Sequence, residues 1–157
     1  MKAAIITASA RASTGVYEDK SGEILKAGLV SLGYEVSDVV IVPDDVKKIS
    51  NAIASALSAQ VDLIVTTGGT GISPTDVTPE ATAPHIQKLL PGIPEALRAY
   101  SRNKVPTTDL SRGLAGTNSS TLIINLPGSP GAVKDGLVII ERLAAHIHEQ
   151  LLGKDHG

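Results

Sequence analysis

The stretch Val61-Asp62-Leu63-Ile64-Val65-Thr66 runs without a break into Thr67-Gly68-Gly69-Thr70-Gly71-Ile72-Ser73-Pro74-Thr75-Asp76-Val77-Thr78-Pro79-Glu80-Ala81. Apart from Asp62, the first six residues are aliphatic or β-branched, the pattern of a buried strand. Glycines at a strand end leave backbone N–H groups bare and let a phosphate approach without Cβ contacts. A plain tight turn is the competing, weaker reading of Gly68-Gly69-Thr70-Gly71 alone. Asp76 either serves magnesium or substrate beside that turn or merely caps and solvates the loop. Thr78-Pro79-Glu80 reads as a helix start, with Thr78 capping and Pro79 in the first turn. An anion cradle, a metal-capable acid and a helix N-terminus fall within one short segment.

Outward from this segment, strand, loop and helix alternate. Residues 3–8 read as a strand, 9–20 as a polar loop, and 21–32 as a helix ended by Gly33. Residues 34–42 read as a strand closed by Pro43, after which Asp44 or Asp45 caps a helix whose buried stripe is Val46, Ile49, Ile53, Ala56 and Leu57. Beyond the glycine segment, residues 79–89 and 93–101 look helical, and 103–120 reads as loop with at most one short turn. Residues 121–125 form another strand, and the turn Leu126-Pro127-Gly128-Ser129-Pro130-Gly131 leads into a helix that stops at Gly153. This order predicts an α/β fold, a three-layer α/β/α sandwich on a mostly parallel sheet, with residues 1–157 as one domain.

Composition agrees with that architecture and removes several functions. Hydrophobic residues make up 42% of the 157, without Phe or Trp, so the core is built from Ile, Leu, Val and Ala. A net charge of -2, no basic run and 2% aromatic residues argue against a nucleic-acid partner. Without cysteine there is no disulfide, thiolate zinc site or Cys nucleophile. The first ten residues look superficially like a signal peptide, but the apolar stretch is too short and Arg11 follows at once. No segment reaches membrane-spanning length, and the expected location is cytoplasmic.

Ligands of open α/β sheets bind beyond the carboxyl ends of the strands. Four loops occupy such positions: 9–21, 43–44, 67–76 and 127–129. The glycine segment matches neither a Walker A sequence nor the dinucleotide fingerprint. For Asp44, helix capping is the competing explanation, although with two adjacent acids one can cap while the other faces a pocket. Ser129 is a plausible N-cap, and such an N-terminus also binds anions. Arg11 and Arg112 lie in loops, where either could clamp a phosphate with paired hydrogen bonds. His146 and His148 point to different helix faces and make no metal pair, His85 and His156 have no local partners, and no G-x-S-x-G elbow occurs.

Taken together, these residues resemble the molybdenum-cofactor biosynthesis proteins of the molybdopterin adenylyltransferase (Mog) type. The resemblance rests on Ser9-Ala10-Arg11-Ala12-Ser13 with Gly15-Val16-Tyr17-Glu18-Asp19-Lys20-Ser21-Gly22, the Pro43-Asp44 turn, the block from Gly68 to Ala81, Ser111-Arg112-Gly113, and Asn125-Leu126-Pro127-Gly128-Ser129-Pro130. It implies transfer of AMP from ATP, with Mg2+, to the terminal phosphate of molybdopterin, with release of pyrophosphate. It also implies a homotrimer and a molybdate-insertion protein as downstream partner. By matched position the catalytic and metal-binding aspartates fall on Asp44 and Asp76. Substrate-binding positions fall on Ser9, Arg11, Asp19, Ser21 and Gly22, and on Gly68, Gly69, Thr70, Gly71, Thr78 and Glu80. Ser111, Arg112, Pro127, Gly128 and Ser129 complete them. Glu80 or an acid near Asp19 is the candidate for the guanine-like edge of the pterin. Two other readings stand beside this one: a pterin carrier without efficient transfer, and a regulatory nucleotide-binding domain related to competence-damage proteins. The acid at Asp44 favours the enzyme over the carrier, and the short chain counts against the third.

Overall fold

The structure is a computed structural model and describes residues 1–154; residues 155–157, His156 among them, lie outside it. A seven-stranded sheet forms its centre. Three strands carry the middle: β1 (Lys2–Ala8), β4 (Leu63–Thr67) and β7 (Thr121–Leu126), all parallel and buried along most or all of their length. Outside β1 lie β2 (Glu35–Val36) and β3 (Val40–Val42), and outside β7 lie β6 (Ala115–Asn118) and then β5 (Lys88–Leu89). The last two pairings, β5 with β6 and β6 with β7, are antiparallel. The sheet is therefore mostly parallel, as expected.

Side chains alternate between two cores because successive strand residues face opposite sides. On one face, Ala3 and Ile5 of β1 with Leu63, Val65, Leu122 and Ile124 meet the helices α2 (Lys20–Ser31), α5 (Gly92–Ser101) and α6 (Pro130–Leu151). On the other, Ile6, Ala8, Ile64 and Ile123 meet α3 (Val46–Ser58) and α4 (Thr78–Thr82). Three layers result. Among the described residues no helix is long and apolar enough to cross a membrane.

Several local expectations need correction. The strand expected over residues 34–42 is two short strands that pair with different ends of β1. The loop expected over 9–20 contains a one-turn helix, α1 (Ala10–Ser13), capped by Ser9. Val46, expected in the buried stripe of α3, is exposed, while Ile49 and Ile53 carry that contact. The helix expected over 79–89 ends at Thr82 and passes through a 3-10 turn, Ala83–His85, into β5. Pro84 contributes to this by having no N–H to donate back to the Glu80 carbonyl, although Ala83 itself keeps right-handed α geometry. The loop expected over 103–120 holds a 3-10 helix, Pro106–Leu110, and the strand β6. Among the histidines, His85 is hydrogen-bonded to Ser50 at 2.8 Å, and His148 is buried against the Tyr34 hydroxyl at 2.7 Å.

Candidate active site

The strand register brings the ends of β1, β3, β4 and β7 level, with Ala8 beside Val42 and Thr67 beside both Thr7 and Leu126. All four loops singled out from sequence therefore leave the same edge of the sheet. Two of them cross closely. Gly68 has φ +94° and Gly69 has φ +70°, and a Cβ on either would drive into the Ala8 carbonyl or the Thr78 hydroxyl. The glycines are thus required by the protein's own crowding as well as by any ligand. Among the described residues, the N–H groups of Gly69, Thr70 and Gly71 donate to no other group of the chain.

A polar column beneath the loop fixes its shape. Thr78 was expected to cap α4; instead Val77 occupies that position and the Thr78 hydroxyl donates to the Gly68 carbonyl at 2.9 Å. The Thr82 hydroxyl donates to the Thr78 carbonyl at 2.7 Å, and Asn125 Nδ2 donates to Thr66 and Thr82 at 2.9 and 3.1 Å. Asn125 Oδ1 accepts the Leu114 N–H at 3.0 Å. Among the described residues no buried side-chain polar atom lacks a partner. A fully satisfied network of this kind rigidifies what it touches.

Arg112 straps the loop from outside. Its guanidinium donates to the Gly71 carbonyl at 2.8 Å, to the Asp76 carbonyl at 2.9 Å, and to both Glu80 oxygens at 2.8 and 3.1 Å. Hydrogen bonding from Arg112 holds the Glu80 carboxyl below its ordinary range. Asp19 is likewise engaged, capping α2 through the Gly22 N–H at 3.0 Å and accepting the Thr7 hydroxyl at 2.7 Å. The buried Ser21 hydroxyl donates to the Gly128 carbonyl at 2.7 Å and so pins the second turn.

The aspartates behave differently. Asp45 caps α3 through the Lys48 N–H at 2.9 Å, which leaves Asp44 to accept the Ala10 N–H at 3.3 Å. Burial pushes the Asp44 carboxyl up; the Ala10 bond opposes that, and the nearby charge of Asp76 adds to it. Asp76 Oδ2 accepts the Ser73 N–H at 3.0 Å. Neither aspartate has a cationic partner within salt-bridge distance among the described residues.

A cleft of about 710 Å³ opens between the glycine loop, the second turn and the start of α6. Gly68, Gly69, Thr70, Gly71, Asp76, Ser111, Pro127, Gly128 and Ser129 line it. Across Gly68 and Gly128 lies a smaller recess of about 140 Å³, lined by Ser9, Asp19 and Ser21 with Tyr17. Arg11, Gly22, Asp44, Thr78, Glu80 and Arg112 line neither space. Ser129 caps α6 by accepting the Ala132 N–H at 3.1 Å. Ser101, Lys104, Lys134 and Asp135 are among the lining residues that carried no sequence signal. Asn125 stood in the quoted motif Asn125-Leu126-Pro127-Gly128-Ser129-Pro130 without a role of its own, although a polar residue at the end of an apolar run is a signal for one.

This geometry has counterparts. The family described as "Probable molybdopterin binding domain" matches residues 4–146. The chain is 40% identical over 157 residues to a molybdopterin adenylyltransferase of Helicobacter pylori, covering 95% of this chain and 86% of that protein. It is 34% identical over 156 residues to a molybdenum cofactor biosynthesis bifunctional protein of Chlorobaculum tepidum, spanning 99% of this chain and half the length of that relative. The solved structure of the molybdopterin biosynthesis Mog protein from Mycobacterium ulcerans superimposes with a TM-score of 0.91 at 45% identity, covering 96% of this chain and 98% of that one. Glycine loop, second turn and three-layer fold thus sit together over nearly the whole chain, and the protein belongs to the molybdopterin-binding family of molybdenum cofactor biosynthesis.

Proposed function

We propose that the chain is a molybdopterin adenylyltransferase that transfers AMP from ATP to the terminal phosphate of molybdopterin. An oxygen of that phosphate attacks the α-phosphorus of ATP and a new P–O–P bond forms. The bond from the α-phosphorus to the bridging oxygen breaks, and its electron pair leaves with pyrophosphate. The attacking oxygen needs no general base, because the second ionisation of a phosphate monoester lies at about pH 6. What remains for the protein is to position the reactants and offset their charge.

The observation that carries this reading is the cleft of about 710 Å³ between two phosphate-friendly turns, a size suited to a substrate-sized molecule. Gly69, Thr70 and Gly71 supply backbone donors on one side. On the other, the start of α6 supplies its N-terminal N–H groups. Ser129 combines two tasks: its oxygen accepts the Ala132 N–H while its hydroxyl proton stays available to a phosphate. Arg112 and Glu80 act on the loop and not on substrate, since each engages the other.

Asp44 and Asp76 suit Mg2+, which takes one or two carboxylates together with waters and substrate phosphates. The partial burial of Asp44 and the charge of Asp76 beside it are what a divalent cation would relieve. When bound, the ion offsets negative charge on the departing pyrophosphate. Assembly as a homotrimer, a cytoplasmic location and handover to a molybdate-insertion protein belong to the same proposal.

The test is pyrophosphate release from ATP and Mg2+, with and without freshly prepared molybdopterin, at matched enzyme concentration. Release that depends on the pterin is the expected result. Pterin binding without release would make the chain a carrier, and release without pterin would point to a nucleotide-hydrolysing function.

A further inference from the structure

The cleft has a wall that the transfer reaction as described above does not use. Asp135, on the second turn of α6, is only 7% exposed, yet both its oxygens are engaged. The Ser101 hydroxyl donates to Oδ2 at 2.6 Å and Lys104 Nζ donates to Oδ1 at 2.6 Å. Lys104 also lies over the Tyr100 ring, 5.0 Å from its centre. All three polar residues, Ser101, Lys104 and Asp135, line the cleft.

The pair is asymmetric. The lysine side chain is 58% exposed and the aspartate 10%, so a neutral couple presents its positive end to the cleft and hides its negative end. A lysine ammonium has three donors, and Asp135 takes one; no described group takes the others. The arginines expected to clamp phosphate are elsewhere: Arg112 is spent on the loop, and Arg11 does not line the cleft. The cations that do line it are Lys104 and Lys134.

We propose that Lys104, held in place by Asp135 and Ser101, binds the polyphosphate of the nucleotide. This rests on the reading of the cleft as a nucleotide and pterin site, and it assigns Lys104 to substrate binding and Asp135 and Ser101 to positioning. A bridge that only tied α5 to α6 would be as well served by a lysine pointing away from the cleft. The Asp135 hydrogen bond also pushes the Lys104 ammonium further above its ordinary ionisation.

The probe is inorganic tripolyphosphate, titrated calorimetrically into the whole protein, followed by steady-state turnover. Lys104→Met should weaken tripolyphosphate binding about tenfold, the size of one charge-assisted hydrogen bond on a partly exposed group. It should raise KM for ATP by a similar factor with little change in kcat, and it should flatten the salt dependence of binding. Lys104→Arg should restore most of the affinity. Because Lys104→Met leaves a buried carboxylate with one partner, the double variant with Asp135→Asn removes that cost and should bind as weakly as the single one. Unchanged affinity in both, or no affinity in the wild type, overturns the assignment. Tripolyphosphate binding that is lost on Lys104→Met, in a protein with no pterin-dependent turnover, would sustain Lys104 while removing adenylyl transfer.

Discussion

Two carboxylate groupings flank the same glycine loop and are treated in opposite ways. Glu80 lies against Arg112, with two hydrogen bonds between them and two more from Arg112 to the loop backbone. Asp44 is partly desolvated and feels the charge of Asp76, with no cation among the described residues to offset either. The first grouping spends its charge on the fold. The second has no cation within salt-bridge distance among the described residues, and for Asp44 this is a cost to the fold; that contrast is what the proposed magnesium role would account for. Residue type and proximity to the loop do not separate the two; the presence or absence of a counter-charge does.

The largest expected effect tests the uncompensated pair. Asp76→Asn should slow pyrophosphate release by roughly 10²–10³-fold, the scale of removing one electrostatic stabiliser. Its thermal midpoint should stay close to that of the wild type, since the substitution preserves shape and an acceptor for the Ser73 N–H. Near-normal turnover in Asp76→Asn would place that aspartate with the structural group and dissolve the contrast.

Arg112→Met tests the other side and should read mainly in stability. It removes four hydrogen bonds at once and leaves Glu80 unpaired, so the midpoint should fall by a few degrees. Turnover should fall about tenfold or less, through loss of order in the loop that carries Asp76. Arg112→Lys should recover only part of this, because an ammonium cannot span Glu80 and two carbonyls with a planar fork. A turnover loss larger than that of Asp76→Asn would mean that Arg112 reaches substrate.

How much of this was legible follows from where each residue gets its environment. Strands β1, β4 and β7 are buried on both faces, so Val61-Asp62-Leu63-Ile64-Val65-Thr66 and Thr121-Leu122-Ile123-Ile124 declare themselves as apolar runs. Strand β6 does not: Ala115-Gly116-Thr117-Asn118 is small and polar. Its glycine is demanded by Ile86 and the Lys88 carbonyl, which a Cβ would strike. Such a strand is specified by its neighbours. The same division holds in the site. The two turns and the two aspartates carry local patterns, whereas Asn125 and Lys104 meet side chains 31 or more residues away, and Thr78 meets a carbonyl ten residues back that its helix-start pattern does not announce. Thr78 misled because a hydroxyl before proline and glutamate reads as a cap, while in the fold the Gly68 carbonyl takes it.

Glu80 and Asp44 also predict opposite pH behaviour, a smaller effect that sharpens the contrast. Glu80 is held below its ordinary value of 4.5 when folded. Between the lowered value and 4.5 the unfolded chain binds more protons, so stability rises with pH there. The contribution is complete above 4.5 and lost as pH falls through the folded value, and solvent exposure keeps it modest. Arg112→Met should flatten that part of the stability profile, measured by denaturant unfolding across pH 3 to about 5.

Asp44 runs the other way, because its carboxyl is raised above the ordinary 3.8. Between 3.8 and the raised value the folded protein binds more protons, so stability falls as pH rises through that window. The cost is complete above the raised value and absent below 3.8. Asp44→Asn removes the charge, so it should raise the thermal midpoint by about a degree or less at neutral pH and leave it unchanged near pH 3. Saturating Mg2+ should reproduce that gain in the wild type, and a smaller one in Asp44→Asn, because a cation bound only by the folded state adds its binding free energy to stability. A neutral-pH loss of stability in Asp44→Asn would mean that the hydrogen bond to Ala10 outweighs the charge, and Asp44 would then stand with Glu80 among the groups that serve the fold.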